Sequence, residues 1–247
     1  MRILSAAISC WVLSTTFSFA QVPQAAGEPF AVVELFASEG CSDCPPADEL
    51  LSGITAAARS QKKRIYTLSF QVDYWNYLGW RDPFSSAAFS QRQQQYSAFL
   101  PGGVYTPEMI INGKEAFVGS DEGKAKSYID HYLSAPSQNS IFLSLDRSGI
   151  DLKIDYSVVQ ASGDSVVNFA LVERGLESRV TAGENNGRTL EHDNVVRDFK
   201  TIELNNVKGS VVFPKPQEKD LTRFSMIAFV QSKKDMAISA AAGIDLN

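Results

Sequence analysis

The residues best equipped to do chemistry in this sequence are Cys41 and Cys44, set in Glu39-Gly-Cys-Ser-Asp-Cys-Pro-Pro46. C-x-x-C spacing serves redox sites, zinc sites and small staples. As a staple it closes a loop of about four residues, for roughly 2 kcal/mol of chain entropy, against about 4.7 kcal/mol for a 100-residue loop. A purely structural bridge gains little from this spacing, so the pair favours redox use. Their disulfide, Cys41–Cys44, is the one intramolecular bridge open to a chain whose remaining cysteine, Cys10, lies in a removable leader.

The elements around the pair follow from hydrophobic period. Phe30–Ala37 is a short apolar run bounded by turn formers, a buried strand. Ala47, Leu50, Leu51, Ile54 and Ala58 recur at helical spacing after the cysteines, and Arg64–Phe70 is a second strand. Asp82 and Pro83 predict an N-cap and first turn for a helix running to about Phe99. Asn112-Gly113 between 108–111 and 115–118 predicts a hairpin. Ser120 is read as the cap of a closing helix, and 135–139 as a linker. Strand, helix, strand, helix, hairpin, helix is the minimal thioredoxin arrangement. Thr106-Pro107 stands directly before the hairpin, where thioredoxins carry a cis-proline.

In that arrangement the thiols face a helix N-terminus, whose free N–H groups and dipole favour a thiolate. Cys41, taken as the more exposed, is the attacking sulfur and Cys44 the resolving one. Pro107 positions substrate, and the main chain of Thr106 pairs with an extended peptide. Two features temper the activation. Residues before proline avoid the helical region, which places the helix start near Pro46 and both cysteines ahead of it. Glu39 and Asp43 are close in sequence, and negative charge raises a thiol pKa, so a very acidic thiol is not expected.

The loop 72–83 is rich in aromatics. It follows the second parallel strand and therefore ends on the same sheet edge as the cysteine loop, where ligands bind. Asp73, Tyr74, Trp75 and Trp80 are candidate substrate-binding residues there, Asp73 as a proton-transfer group or a cap; the alternative is that they cover the sheet or a domain interface. The two histidines, His131 and His192, have no ligand spacing to the cysteines, so no metal site or cofactor is assigned, and both read as surface or hydrogen-bonded side chains.

Beyond residue 140 short alternating strands dominate, at Ile141–Leu145, Leu152–Val158, Val166–Val172, Thr201–Leu204, Val211–Phe213 and Phe224–Val230. The expected architecture is an α/β thioredoxin-like N-terminal domain over 28–135 and an all-β, sandwich-like C-terminal domain over 140–247. Gly183–Arg197 is long, polar and turn-rich, either a recognition loop or a solvated connection ordered by Asx turns.

The formal net charge of -5 carries no electrostatic footprint for nucleic acid. Arg2, the apolar stretch from Ile3 to Leu13 and Ser18-Phe19-Ala20 read as a signal peptide over 1–20, cleaved after Ala20. No later segment is long and apolar enough for a membrane span. The expected location is periplasmic or secreted, in an oxidising compartment where disulfides persist.

The chain resembles a family of uncharacterised exported bacterial proteins with a thioredoxin-like fold. The likeness rests on Val33-Glu-Leu-Phe-Ala-Ser-Glu-Gly-Cys-Ser-Asp-Cys-Pro-Pro-Ala-Asp48, Val72-Asp-Tyr-Trp75, Gly79–Phe84, Val104–Gly113 and Gly183–Arg197. It implies fold and location rather than an activity. Gln71 and Asn76 stand where the family usually has histidine and aspartate, which weighs against proton transfer by the aromatic loop.

The function expected is thiol–disulfide exchange with a protein or small thiol/disulfide substrate. Two rivals are a non-catalytic binding protein with a structural disulfide and a copper(I)-handling protein. The reduction potential of the mature chain separates exchange from a resting bond: about -120 to -270 mV for the former, below about -300 mV for the latter.

Overall fold

The computed structural model describes residues 27–137, 139–160, 164–218 and 220–247; the expected leader, its cleavage site and Cys10 lie outside them. The first half contains β1 (Ala31–Ala37), α1 (Pro45–Ser60), β2 (Ile65–Gln71), α2 (Ala87–Ser97), β3 (Glu108–Ile111), β4 (Glu115–Val118) and α3 (Glu122–Leu133). The second half contains β5 (Ser140–Asp146), β6 (Leu152–Val159), β7 (Ser165–Glu173), β8 (Leu176–Arg179), β9 (Thr189–His192), β10 (Val195–Glu203), β11 (Lys208–Phe213), β12 (Phe224–Ser232) and β13 (Ile238–Asp245). None of the described helices is long and apolar enough to cross a membrane.

The fold is mixed α/β. A single eight-stranded mixed sheet runs β13-β12-β7-β10-β2-β1-β3-β4, so the two units expected from the sequence share one sheet. β1 and β2 are parallel, β3 and β4 antiparallel, and β10 joins β2 in parallel through Val195 opposite Ser69. A three-stranded sheet, β11-β6-β5, packs on the second half of the large sheet, and β8 pairs with β9 alone.

Several elements differ from the sequence expectation. The second helix is capped by Ser86, whose side chain accepts from the Ala88 amide; Asp82 instead accepts from the amides of Glu39 and Phe84. Asp121 rather than Ser120 caps α3. β10 begins six residues before the expected strand, because a bulge between Val196 and Asp198 breaks its period-two alternation. β13 escaped the pattern because Ala240-Ala-Ala-Gly243 has low strand propensity; Gly243 fits there because a Cβ would lie 2.9 Å from the Tyr66 ring.

The core has three clusters. One, including Leu35, Cys41, Cys44, Leu51 and Met109, belongs to the first half; one lies between the two sheets of the second half. The third mixes both halves, with Phe36, Phe70 and Tyr96 packed beside Val172, Phe229 and Ile238. At about 1.5–3 kcal/mol for each large apolar side chain, such burial dominates the attraction between the halves.

Within that shared cluster lies a buried ion pair. Arg92 Nε on α2 donates to Glu34 Oε2 on β1 at 2.6 Å, and the Tyr96 hydroxyl donates to Glu34 Oε1 at 2.5 Å. The guanidinium also lies 4.9–5.5 Å from the ring centres of Phe70, Tyr96, Phe199 and Phe229. Gln231 Nε2 donates to the Tyr96 hydroxyl at 2.8 Å, tying β12 to the same group. Removing one partner of such a pair leaves a buried charge uncompensated. Arg92→Ala is expected to lower the unfolding free energy by about 3–5 kcal/mol, as read by urea denaturation.

Candidate functional site

The chain leaves β1 at Ala37 and turns through Ser38–Cys44 into α1. The turn is built locally: the Gly40 amide donates to Ser38 Oγ, the Cys41 amide to the Ser38 carbonyl, and the Cys44 amide to the Cys41 carbonyl. Cys41 and Cys44 are joined as a disulfide. Cys44 is the N-cap of α1 in helical backbone, with Pro45 and Pro46 as the first two helical residues. The helix therefore starts one residue earlier than the pre-proline rule suggested. The Ala47 and Asp48 amides, donating to the Cys44 carbonyl at 2.9 and 3.1 Å, hold Cys44 in that conformation.

Neither sulfur-bearing residue is open: Cys41 is 2% exposed and Cys44 0%. This corrects the expectation of an exposed Cys41. The cover comes from two places. Trp75 packs on Gly40 so closely that a Cβ there would sit 2.9 Å from the Trp75 Cβ. From the second half, Asn185 Nδ2 donates to the carbonyls of both Glu39 and Cys41 at 2.9 Å, and Glu184 Oε2 accepts the Ser42 amide at 3.0 Å. Arg188 donates to Asn185 Oδ1 at 2.9 Å and orients it. The segment 183–197 is thus no solvated connection; its first residues lie over the cysteine turn.

The aromatic loop also meets this turn. Trp75 Nε1 donates to Thr106 Oγ1 at 2.8 Å, and Trp80 Nε1 to Glu39 Oε2 at 2.6 Å. Tyr74 donates to Gln93 Oε1, and Gln93 Nε2 donates to the Tyr105 carbonyl and to Glu108 Oε2. Burial pushes the Tyr74 hydroxyl up to about 12 and the Glu108 carboxyl up to about 7. Asp73 acts as a structural group, accepting from Ser90 Oγ at 2.6 Å while its amide donates back to the same hydroxyl. Gln71 donates to Ser69 Oγ, and Asn76 bridges Ser85 and the Asp82 amide.

The Thr106–Pro107 peptide is cis. A Cβ on Gly119 would meet Leu35, Pro107 and Ala47 at 2.8–3.2 Å, so Pro107 packs beside the first turn of α1. The Thr106 main chain has no hydrogen-bond partner among the described residues.

The residue that sequence reasoning did not attach to the site is His192. It ends β9, and its side chain is fully buried. Nε2 lies 3.2 Å from Glu39 Oε1; Nδ1 faces Asp48 Oδ1 at 3.4 Å without the alignment of a hydrogen bond. Burial alone would push the imidazole pKa down, but Asp48 and Glu39 outweigh it and raise it to about 10. Burial likewise works to raise Glu39, yet His192, Ser178 and Trp80 hold it below the usual range. Asp82, buried and beside the Glu39 charge, is pushed up to about 6. The only linear signal was a histidine inside a polar segment; strand pairing brings it to α1. His131, on α3, is exposed.

A family model described as a protein of unknown function, DUF1223, matches residues 32–231. A crystal structure of a protein from Agrobacterium tumefaciens is similar over 90% of this chain and 97% of its own, at 28% identity and a TM-score of 0.67. HBP35 of Porphyromonas gingivalis is similar over 90% of this chain and 77% of its own, at 12% identity and a TM-score of 0.62, a likeness of fold alone. No curated protein matches the sequence.

The His192 cluster makes stability depend on pH in a definite direction. A cation whose pKa is raised on folding contributes fully below its unfolded value, about 6.5, and loses that contribution as pH rises through about 10. Wild-type unfolding midpoints in urea are expected to fall across this window. The His192→Gln variant is expected to start lower and to show a shallower fall.

Proposed function

The chain belongs to the DUF1223 family of proteins of unknown function, and we propose that it is an exported thiol–disulfide exchange protein with a thioredoxin-like N-terminal unit and a sandwich-like C-terminal unit. The observation that carries the reading is the meeting of three groups at one helix end. The Cys41–Cys44 disulfide closes on the first turn of α1, Pro107 packs beside that turn, and the adjacent Thr106 main chain is unpartnered. A helix N-terminus favours a thiolate, and an unpaired main-chain segment can pair with an extended peptide.

In the reduced protein the Cys41 thiolate attacks a substrate disulfide, forming a mixed disulfide and releasing one substrate thiolate. The Cys44 thiolate then attacks Cys41 Sγ, re-forming the Cys41–Cys44 bond and releasing the second thiolate. Two electrons pass to substrate, whose thiolates take protons from water; a dithiol donor re-reduces the pair, and the reverse sequence oxidises a dithiol. Because the sulfurs are covered, exchange requires the Glu184–Asn185 segment or Trp75 to part from the cysteine turn.

That same burial favours a second reading, in which the bridge is inert and the protein binds a partner. A turnover assay with a protein disulfide and dithiothreitol, run on the full mature chain, separates the two. Exchange predicts turnover that Cys41→Ser abolishes. It also predicts that Asn185→Ala, which loses the two hydrogen bonds to the cysteine turn at about 1 kcal/mol each, speeds reduction of the bridge about thirtyfold. A wild type that stays oxidised and idle while Asn185→Ala behaves alike would decide for the inert bridge.

A further inference from the structure

His192 reaches the cysteine turn from the second half of the chain, and its two carboxylate partners bracket the disulfide. Glu39 stands two residues before Cys41; Asp48 stands four after Cys44, one turn along the same face of α1. We infer that His192 is a positioning residue for exchange at Cys41 and Cys44, joining the cysteine turn to α1 and offsetting the negative charge beside the thiols; this rests on the function proposed above.

The geometry leaves the imidazolium little other use. Its nitrogens face Glu39 Oε1 and Asp48 Oδ1, and the Phe84 ring lies edge-on at 5.9 Å. The His192 charge works to lower the Asp82 carboxyl, which accepts the Glu39 amide. Trp80 occupies the second oxygen of Glu39. Without His192, the buried carboxylates of Glu39 and Asp48, one before and one after the cysteine turn, would lose the cation that lies between them. Negative charge near a thiol disfavours the thiolate and so slows attack at neutral pH. A cleft of about 290 Å³ between α1 and β9, lined by Pro45, Asp48, Arg188 and Glu191, gives the otherwise buried Asp48 contact with solvent, so the cluster can equilibrate its protons.

The test is a titration of the Cys41 thiolate by its ultraviolet absorbance in the reduced, full mature protein, for wild type and His192→Gln. The expected result is a rise of about one pKa unit in the variant, with exchange at pH 7 slowed roughly tenfold. Adding Glu39→Gln to His192→Gln is expected to bring the thiol pKa back toward wild type, which a general loosening of the fold would not do. If His192→Gln does not fold, Glu39→Gln alone is read instead, and a fall in the thiol pKa is expected. A folded His192→Gln with the wild-type thiol pKa, or a Glu39→Gln that leaves it unmoved, overturns the inference. The thiol pKa is read without turnover: an idle wild type with the predicted shifts sinks only the exchange function, whereas an active wild type without them sinks only the role of His192.

Discussion

The join between β10 and β2 governs where the second half of this molecule can lie. It is short: Val195 opposite Ser69, reinforced by the Ser69 amide donating to the Asn194 carbonyl and by Asn194 Nδ2 donating to Thr67. Yet it closes two partial sheets into one and removes two strand edges that would otherwise carry unpaired main chain. It also sets the path of the residues just before it. Once Val195 is docked, His192 must fall near the start of α1, and Asn185 over the cysteine turn.

Polar groups buried at this seam are costly unless paired, and both buried networks meet that demand by using partners from both halves. Arg92 and Glu34 from the first half are completed by Gln231 from β12. Glu39 and Asp48 are completed by His192 from β9. Glu39 and Asp48 of the first half thus take their buried cation from the second. The shared cluster adds apolar burial in the same place, so the halves are held as one body by packing and made specific by charge.

The disulfide sits at the meeting point of these constraints. It closes at the N-terminus of α1, where free N–H groups and the helix dipole favour negative charge, and Trp75, Glu184 and Asn185 cover it. A neutral hydrogen bond is worth about 1 kcal/mol net, so the polar part of this cover is weak compared with the core beneath it.

Local pattern was enough to place β1, α1, β2, the β3–β4 hairpin, α3 and most of the later strands, because each depends on a hydrophobic period or a turn residue read within a few positions. Asn112-Gly113, both with positive φ, shows how directly such a signal acts. The cysteine pair and Thr106-Pro107 were equally legible, being defined by residue type and spacing. Period reading failed where tertiary contacts override it: at the bulged β10, at alanine-rich β13, and at β9, which lies in a segment with the look of a polar connection. The burial of Cys41, the union of both halves in one sheet and the place of His192 between Glu39 and Asp48 were decided only by the folded chain. They depend on contacts across more than a hundred residues, and no spacing rule reaches that far.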